Sequence, residues 1–328
     1  MTNTMRALVY ERYGAPEDVL ELREVPVPVP GPQQVLVKVH VCAFNPLDWH
    51  MMTGKPRIAR LSFGPLRPRR NTPGNDFAGV VEAVGEEVTR FRPGAEVLGE
   101  SGVGAMAEFV AVPEEALVDK PATVTFEEAA AAPIAGLTAL QALRDWGGMD
   151  TGNDVLIVGA SGGVGTYAIQ IARALGANHI TAVCSTGNVE MARSLGADQV
   201  IDYTREDYTE HGRQYDVILD GPGNRPLRRN RRLLAPGGTY VLVGGRKGDW
   251  VTPFPTIVKN LLANLVGYAN TRKGFAERTE QDLTMLRDWL ESGVIRSVID
   301  RNYKLEEGPE ALTYQGTFHA RGKIVVTI

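Results

Sequence analysis

Residues 155–177, VLIVGASGGVGTYAIQIARALGA, constrain the fold more than any other stretch of this chain. An apolar run leads into four glycines within residues 159–165. Apolar side chains then recur at Val164, Tyr167, Ala168, Ile171, Ala172 and Leu175, the spacing of one buried helix face. The pattern is a buried strand, a tight turn and an amphipathic helix.

The flanking sequence repeats the theme. Thr125 with Glu128 three residues on predicts a capped helix start. Beyond it, the strand candidates DVLIVGA, HITAVCS, QVID, YDVILDG, TYVLVGG and NLVGYAN alternate with helical patterns. LGA occurs at 175–177 and again at 195–197, each time with a glycine placed to end a helix before a strand. This predicts an α/β fold built on a doubly wound parallel sheet. The first 125 residues read differently. Short apolar segments separated by glycine and proline suggest an irregular antiparallel β domain. Prolines at 26, 28, 30 and 32 make that segment extended and keep it out of a central strand. A helix, TEQDLTMLRDWLESG, and a closing strand, GKIVVTI, are expected to return to this first domain. The expected division is therefore residues 1–125 with 272–328, and residues 126–271.

Glycines at such a turn allow close approach of a pyrophosphate and tight helix–strand packing, while the helix N-terminus offers N–H groups and a positive dipole end. Dinucleotide binding is expected at Ala160, Ser161, Gly162, Gly163 and Val164, with alanine at the first glycine position. NAD sites usually place a carboxylate at the end of the next strand, for the ribose hydroxyls. Here that stretch, AVCSTGN, offers Ser185, Thr186 and Asn188, and no carboxylate before Glu190. Small hydroxyls can donate to a 2′-phosphate that a carboxylate would repel, so NADP(H) is the expected cofactor.

Composition narrows the classes. The net charge of −4 argues against a general nucleic-acid binder, and the run RPLRRNRR at 225–232 reads as a solvated helix face. Two cysteines, Cys42 and Cys184, exclude a disulfide framework and a four-cysteine zinc lobe. The early residues show no signal or transit character, and no apolar stretch reaches the ~18–20 residues needed to span a bilayer. A soluble cytoplasmic protein, with no membrane partner, is expected.

The segments VLELREVPVPVPGPQQVLVKV, FNPLDWHMMTGK, PGNDFAGVVEAVG, PIAGLTAL, GASGGVG, LGADQVIDY and APGG together resemble the medium-chain dehydrogenase/reductase superfamily. The likeness is strongest to its zinc-independent quinone oxidoreductase-like branch. It implies a discontinuous GroES-like β domain, a Rossmann domain, an active site in the cleft between them, and a homodimer formed through NLVGYAN. Zinc-dependent members carry a catalytic cysteine where this chain has Asn45 and His-Glu where it has Asn75-Asp76. Their third ligand falls near Pro133-Ile134, which offers no donor. No metal is expected, although Cys42, Asp48 and His50 form a second, improvised candidate set.

Without a Lewis acid, alcohol oxidation becomes hard, while reduction of a quinone or enone stays feasible. The resemblance places Asn45 near nicotinamide or substrate and His50 where many relatives carry a substrate-facing tyrosine. It also gives cofactor roles to Thr138, Tyr203 beside the adenosine phosphate, the backbone at Val243, Gly244 and Gly245, and Lys323 reaching the phosphate. The loop DGPGNRP departs from the family's usual form. A zinc-free alcohol or aldehyde oxidoreductase and a non-catalytic NADPH-binding protein are the competing readings.

Overall fold

Three valines at alternate positions, Val35, Val37 and Val39, turn one face of a strand toward a core, and after a register shift between Val39 and Val41 the residues Cys42 and Phe44 take over that face of the longest strand of the first unit. The computed structural model describes residues 4–69, 71–102, 104–244, 264, 269–272 and 274–328. Two compact units are seen: Met1–Ala135 with Arg278–Ile328, and Gly136–Glu277.

In the first unit, β1 (Thr4–Val9) and β2 (Glu21–Pro26) form an antiparallel pair. Strand β2 ends where the alternating prolines begin. The main sheet is laid on β3 (Gln34–Phe44). Beside it run β4 (Asp76–Val84), then β5 (Glu96–Glu100) and β7 (Leu117–Asp119), while β6 (Phe109–Pro113) also pairs with β3. These pairings are antiparallel. Phe44, Phe77, Val97, Met106 and Leu117 fill the core beneath them. The chain returns after the second unit, and Thr279 caps the helix Glu280–Glu291. Then β14 (Ile299–Lys304) pairs with β15 (Lys323–Thr327), and β15 runs antiparallel to β3. Ile324 and Val326 enter the same core as Phe44.

The second unit is a parallel sheet of β8 (Asp154–Val158), β9 (His179–Cys184), β10 (Gln199–Asp202), β11 (Tyr215–Asp220), β12 (Leu234–Leu242) and β13 (Asn270–Arg272). Its order is β10-β9-β8-β11-β12-β13. Counted within the unit, that is the doubly wound order in which the sheet reverses direction between its first and fourth strands. Gly176 and Gly196 have φ of 85° and 108°, so both LGA glycines supply the left-handed residue that stops a helix. Of NLVGYAN, the strand takes Asn270; residues 265–268 lie outside the described residues. The helix Gly163–Ala174 is buried on more than the expected face: Thr166, Ile169 and Gln170 are covered as well. Among the described residues no helix is long and apolar enough to cross a membrane.

Candidate active site

In the second unit, the carboxyl ends of β8, β11 and β12 meet through glycines. Gly165 lies so close to the turn that a Cβ would stand 2.3 Å from the Gly159 carbonyl oxygen and 2.7 Å from Ala160 Cα. A Cβ on Gly244 would stand 2.1 Å from the Gly221 carbonyl oxygen. At Gly162, the N-cap of the helix Gly163–Ala174, the nearest atom to a Cβ is 3.6 Å away. The inner side of the turn is therefore closed by backbone and its outer side is open. Gly159 and Ala160 N–H groups donate to the Val183 carbonyl, which fixes the turn against β9. The N–H groups of the helix's first turn have no intrahelical acceptor and are available to an anion. These residues fit a dinucleotide's pyrophosphate.

The expected ribose side gathers as well. The Tyr203 N–H donates to Cys184 at the end of β9, which sets a half-exposed tyrosine beside Ser185. Ser185 Oγ accepts from Asn188 Nδ2 at 3.0 Å. Thr186 departs from expectation, because its hydroxyl donates to Asp202 Oδ2. Thr204 donates to Asp202 Oδ1 through both its N–H and its hydroxyl. These donors hold the Asp202 carboxyl below its usual range, the Thr186 bond foremost. A carboxylate thus does stand at this loop, brought by the neighbouring strand. Thr186, Glu190, Arg193, Asp202, Arg205 and Glu206 line a cleft of about 580 Å³ here, with Val189 and Val200. Val243 donates to the Asp220 carbonyl at the end of β11. In DGPGNRP, buried Asp220 accepts from the Gly223 N–H at 2.8 Å and the Tyr240 hydroxyl at 2.7 Å, so the loop is braced from within. Thr138 lies in the helix Pro133–Gln141, and Gly245 lies outside the described residues.

In the first unit, Asn45 is the N-cap of the helix Pro46–Thr53. Its N–H donates to Asp48 Oδ2 at 2.8 Å. Asp48 Oδ1 accepts from the Gly74 N–H at 3.0 Å and from Asn75 Nδ2 at 2.9 Å. Burial pushes the Asp48 carboxyl up to about 6, against the pull of those N–H donors. The Asn45 carboxamide faces the other way. Nδ2 donates to Asp76 Oδ2 at 2.9 Å, and Oδ1 accepts from Lys323 Nζ at 2.6 Å. Lys323 also reaches Asp76 Oδ2, at 3.1 Å. Asp76 Oδ1 accepts from the Ile134 N–H at 3.1 Å. Burial raises the Asp76 carboxyl, opposed first by Lys323 and then by Asn45. Its named partners are all donors, so the ionised form suits them and a proton on Asp76 would find no acceptor among them.

Lys323 therefore corrects the expectation placed on it. It belongs to the first unit, is 3 % exposed, and its ammonium is held by Asn45 and Asp76. A cation so enclosed does not extend to a cofactor phosphate. Glu100 pairs with Asp76 across β5 and β4. Burial, then the neighbouring Asp76 charge, pushes its carboxyl up to about 8, while Arg278 and Lys323 pull it down. His50 packs edge-on against Trp49, and its Nδ1 lies 2.7 Å from the Lys55 carbonyl oxygen. That oxygen only accepts, so Nδ1 carries hydrogen, and Nε2 can donate only from the doubly protonated ring. The second candidate metal set is not assembled: Asp48 is engaged by N–H groups, and among the described residues no three His, Cys, Asp or Glu side chains converge.

Sequence reasoning missed Asp76, Glu100 and Lys323 as a group. One local signal was present in KIVVTI: a lysine opening an apolar strand whose next three residues are fully buried.

Two family models match, an alcohol dehydrogenase GroES-like domain over residues 31–122 and a zinc-binding dehydrogenase over residues 195–326. A chloroplastic quinone-oxidoreductase of Triphysaria versicolor is 34% identical, over 98% of both chains. A 2-methylene-furan-3-one reductase of Solanum lycopersicum is 34% identical over 98% of this chain and 79% of its own. The solved quinone oxidoreductase of Coxiella burnetii superposes with a TM-score of 0.88 at 29% identity, covering 99% of each chain. That of Escherichia coli, complexed with NADPH, gives 0.84 at 25% identity over 98% of this chain and 100% of its own. The chain belongs to the medium-chain dehydrogenase/reductase superfamily, in its quinone oxidoreductase-like branch. It is an oxidoreductase.

Proposed function

We propose that this oxidoreductase reduces a quinone or an enone with NADPH and needs no zinc. The observation that carries the reading is the donor set around Asn45. Where zinc-dependent members of the superfamily hold their metal, this chain presents the Asn45 and Asn75 carboxamides, the Asp76 carboxylate already bound to an ammonium, and the Ile134 backbone N–H. An N–H cannot ligate, carboxamides are not among the thiolate, imidazole and carboxylate ligands of zinc, and the one carboxylate, Asp76, is engaged by Lys323 and the Ile134 N–H, so the residues do not fit zinc. With no metal to acidify an alcohol, an acceptor that is already electrophilic is the chemistry left.

The bound cofactor supplies a hydride, and with one proton the acceptor becomes a hydroquinone or a saturated carbonyl compound while the nicotinamide is oxidised. Asn45 keeps a second Nδ2–H beyond the one given to Asp76. We assign that hydrogen to the oxygen on which negative charge develops. Proton delivery is assigned to His50, which enters the step as the imidazolium because its Nδ1–H is held by Lys55. The preference for NADPH rests on Ser185 at the end of β9, on Arg205 lining the neighbouring cleft, and on Asp202 being engaged by Thr186 and Thr204. Thr138, Tyr203 and the Val243–Gly244 backbone complete the proposed cofactor contacts. The proposal includes a homodimer through NLVGYAN, whose Asn270 opens β13, the last strand of the sheet among the described residues; its check is the solution mass.

The test is a panel of quinones, enones and primary alcohols, assayed with NADPH or NADP⁺ before and after dialysis against a strong chelator. Quinones or enones should turn over far faster than alcohols, and dialysis should leave the rate unchanged. Alcohol oxidation at an equal rate, or a rate abolished by the chelator and restored by zinc, would overturn the reading.

A further inference from the structure

We propose that Lys323 is the fixed cation of the site: its buried ammonium locks the orientation of the Asn45 carboxamide and polarises it toward the acceptor oxygen. The inference rests on the reading of Asn45 given above. Lys323 is a positioning residue, acting through Asn45.

A carboxamide has two ends that differ only in being donor or acceptor, and a turn of about 180° exchanges them. Around Asn45 the exchange is forbidden on both sides. The ammonium at 2.6 Å can only donate, so it demands Oδ1. The Asp76 carboxylate at 2.9 Å only accepts, so it demands Nδ2. The same two groups bind each other at 3.1 Å, closing a three-membered ring of contacts. Asp76 is held in turn by the Ile134 N–H at 3.1 Å, and the Asn45 backbone by Asp48 at 2.8 Å. Side chain and backbone of Asn45 are thus both fixed before any ligand arrives. Positive charge on Oδ1 draws electron density from the amide, so the remaining Nδ2–H becomes a stronger donor. Lys323 is 3 % exposed and Asp76 is 0 % exposed, so little water screens this effect.

A purely structural role would be to neutralise Asp76. Removing one member of a buried pair is strongly destabilising, whereas replacing both can be neutral. That difference separates the two roles. Lys323→Met should lower stability and kcat together. In Lys323→Met/Asp76→Asn, the thermal midpoint and the NADPH dissociation constant should return close to wild type. With NADPH and 1,4-benzoquinone, kcat of the double variant should stay down on the order of 100-fold, the scale of a misplaced catalytic group, with KM for the quinone changed much less. A double variant that regains both stability and kcat overturns the proposal. A wild type that does not oxidise NADPH with any quinone or enone overturns the parent reading instead. A measurement on the wild type stands should neither variant fold. The Asn45 side-chain amide protons, identified by their loss in Asn45→Ser, should be distinct and slow to exchange in ¹⁵N NMR. A freely exchanging, averaged pair overturns the lock.

Discussion

The turn after β8 and the cluster around Lys323 prepare for charge in opposite ways. The turn works by what it omits. Gly165, and beyond β12 Gly244 against the Gly221 carbonyl after β11, lack side chains where backbone passes within 2.3 and 2.1 Å of a Cβ position, and main-chain N–H groups of the turn are left to meet an anion. The cluster works by what it buries. Asn45, Asp48, Asp76 and Lys323 are tied together inside the first unit, and Asn45 keeps one Nδ2–H beyond the one given to Asp76. The first arrangement suits any ligand with a diphosphate; the second, on the proposed reading, is aimed at a single acceptor oxygen. Shape made of backbone gives general binding, and a closed set of charged partners gives direction.

The sharpest way to break this contrast is Asn45→Ala. Losing a directed donor to a developing oxyanion costs about 2.7–4 kcal/mol, so kcat should fall on the order of 100-fold or more while the NADPH dissociation constant moves little. An equal loss in both would make the cluster part of the cofactor site and erase the distinction. Next comes the turn. Gly165→Ala forces a Cβ into backbone and should cost about 1–3 kcal/mol of stability, read as a lower thermal midpoint. Gly162→Ala, with open space before it, should leave the midpoint near wild type and weaken NADPH and NADH alike.

The two regions also differ in how far the sequence revealed them. The turn lies within residues 159–165, and its glycine spacing is a local consequence of strand, turn and helix, so it is readable in one dimension. The capping box of Thr125 and Glu128 and the two helix-ending glycines were legible for the same reason. The cluster draws on residues 45, 76, 134 and 323, and the Lys323–Asn45 bond spans 278 positions. No local period links such residues; the antiparallel pairing of β15 with β3 does. The resemblance gives Lys323 a phosphate contact, and only the long-range pairing shows its ammonium held by Asp76 and Asn45 instead. The Asp202 carboxylate escaped notice likewise, because it comes from a neighbouring strand and not from the loop where such a group is usually sought.

That neighbouring carboxylate sharpens the expectation for cofactor choice. Ser185→Asp should weaken NADPH by at least about 10-fold, or ~1.4 kcal/mol, with a smaller effect on NADH, measured as kcat/KM for each. An unaltered ratio would show that the loop after β9 does not meet the 2′-phosphate. The smallest effect concerns pH. Glu100 is pushed up to about 8 from an ordinary carboxyl value, by burial and then by Asp76. The folded state therefore holds this proton where the unfolded chain has lost it, and stability from this group falls as pH rises from about 4.5 through 8. Asp48, raised to about 6, acts in the same direction over a lower range. Glu100→Gln keeps the neutral form permanently. It should raise the thermal midpoint by about 2–4 °C at pH 8 and hardly at all at pH 5. An equal shift at both values would mean that Glu100 is already ionised.

The pairing of β15 with β3 carries a consequence for the order in which the molecule is made. Residues 136–277 leave the ribosome before Lys323 exists, so the parallel sheet has its whole sequence available while the earlier β unit still lacks its final strand. Until residue 323 emerges, Asp76 has no counter-ion, and a carboxylate without one resists being drawn out of water. The β unit thus completes its sheet with a strand made later than the whole parallel unit, and the residue that neutralises Asp76 there is the same one that holds Asn45.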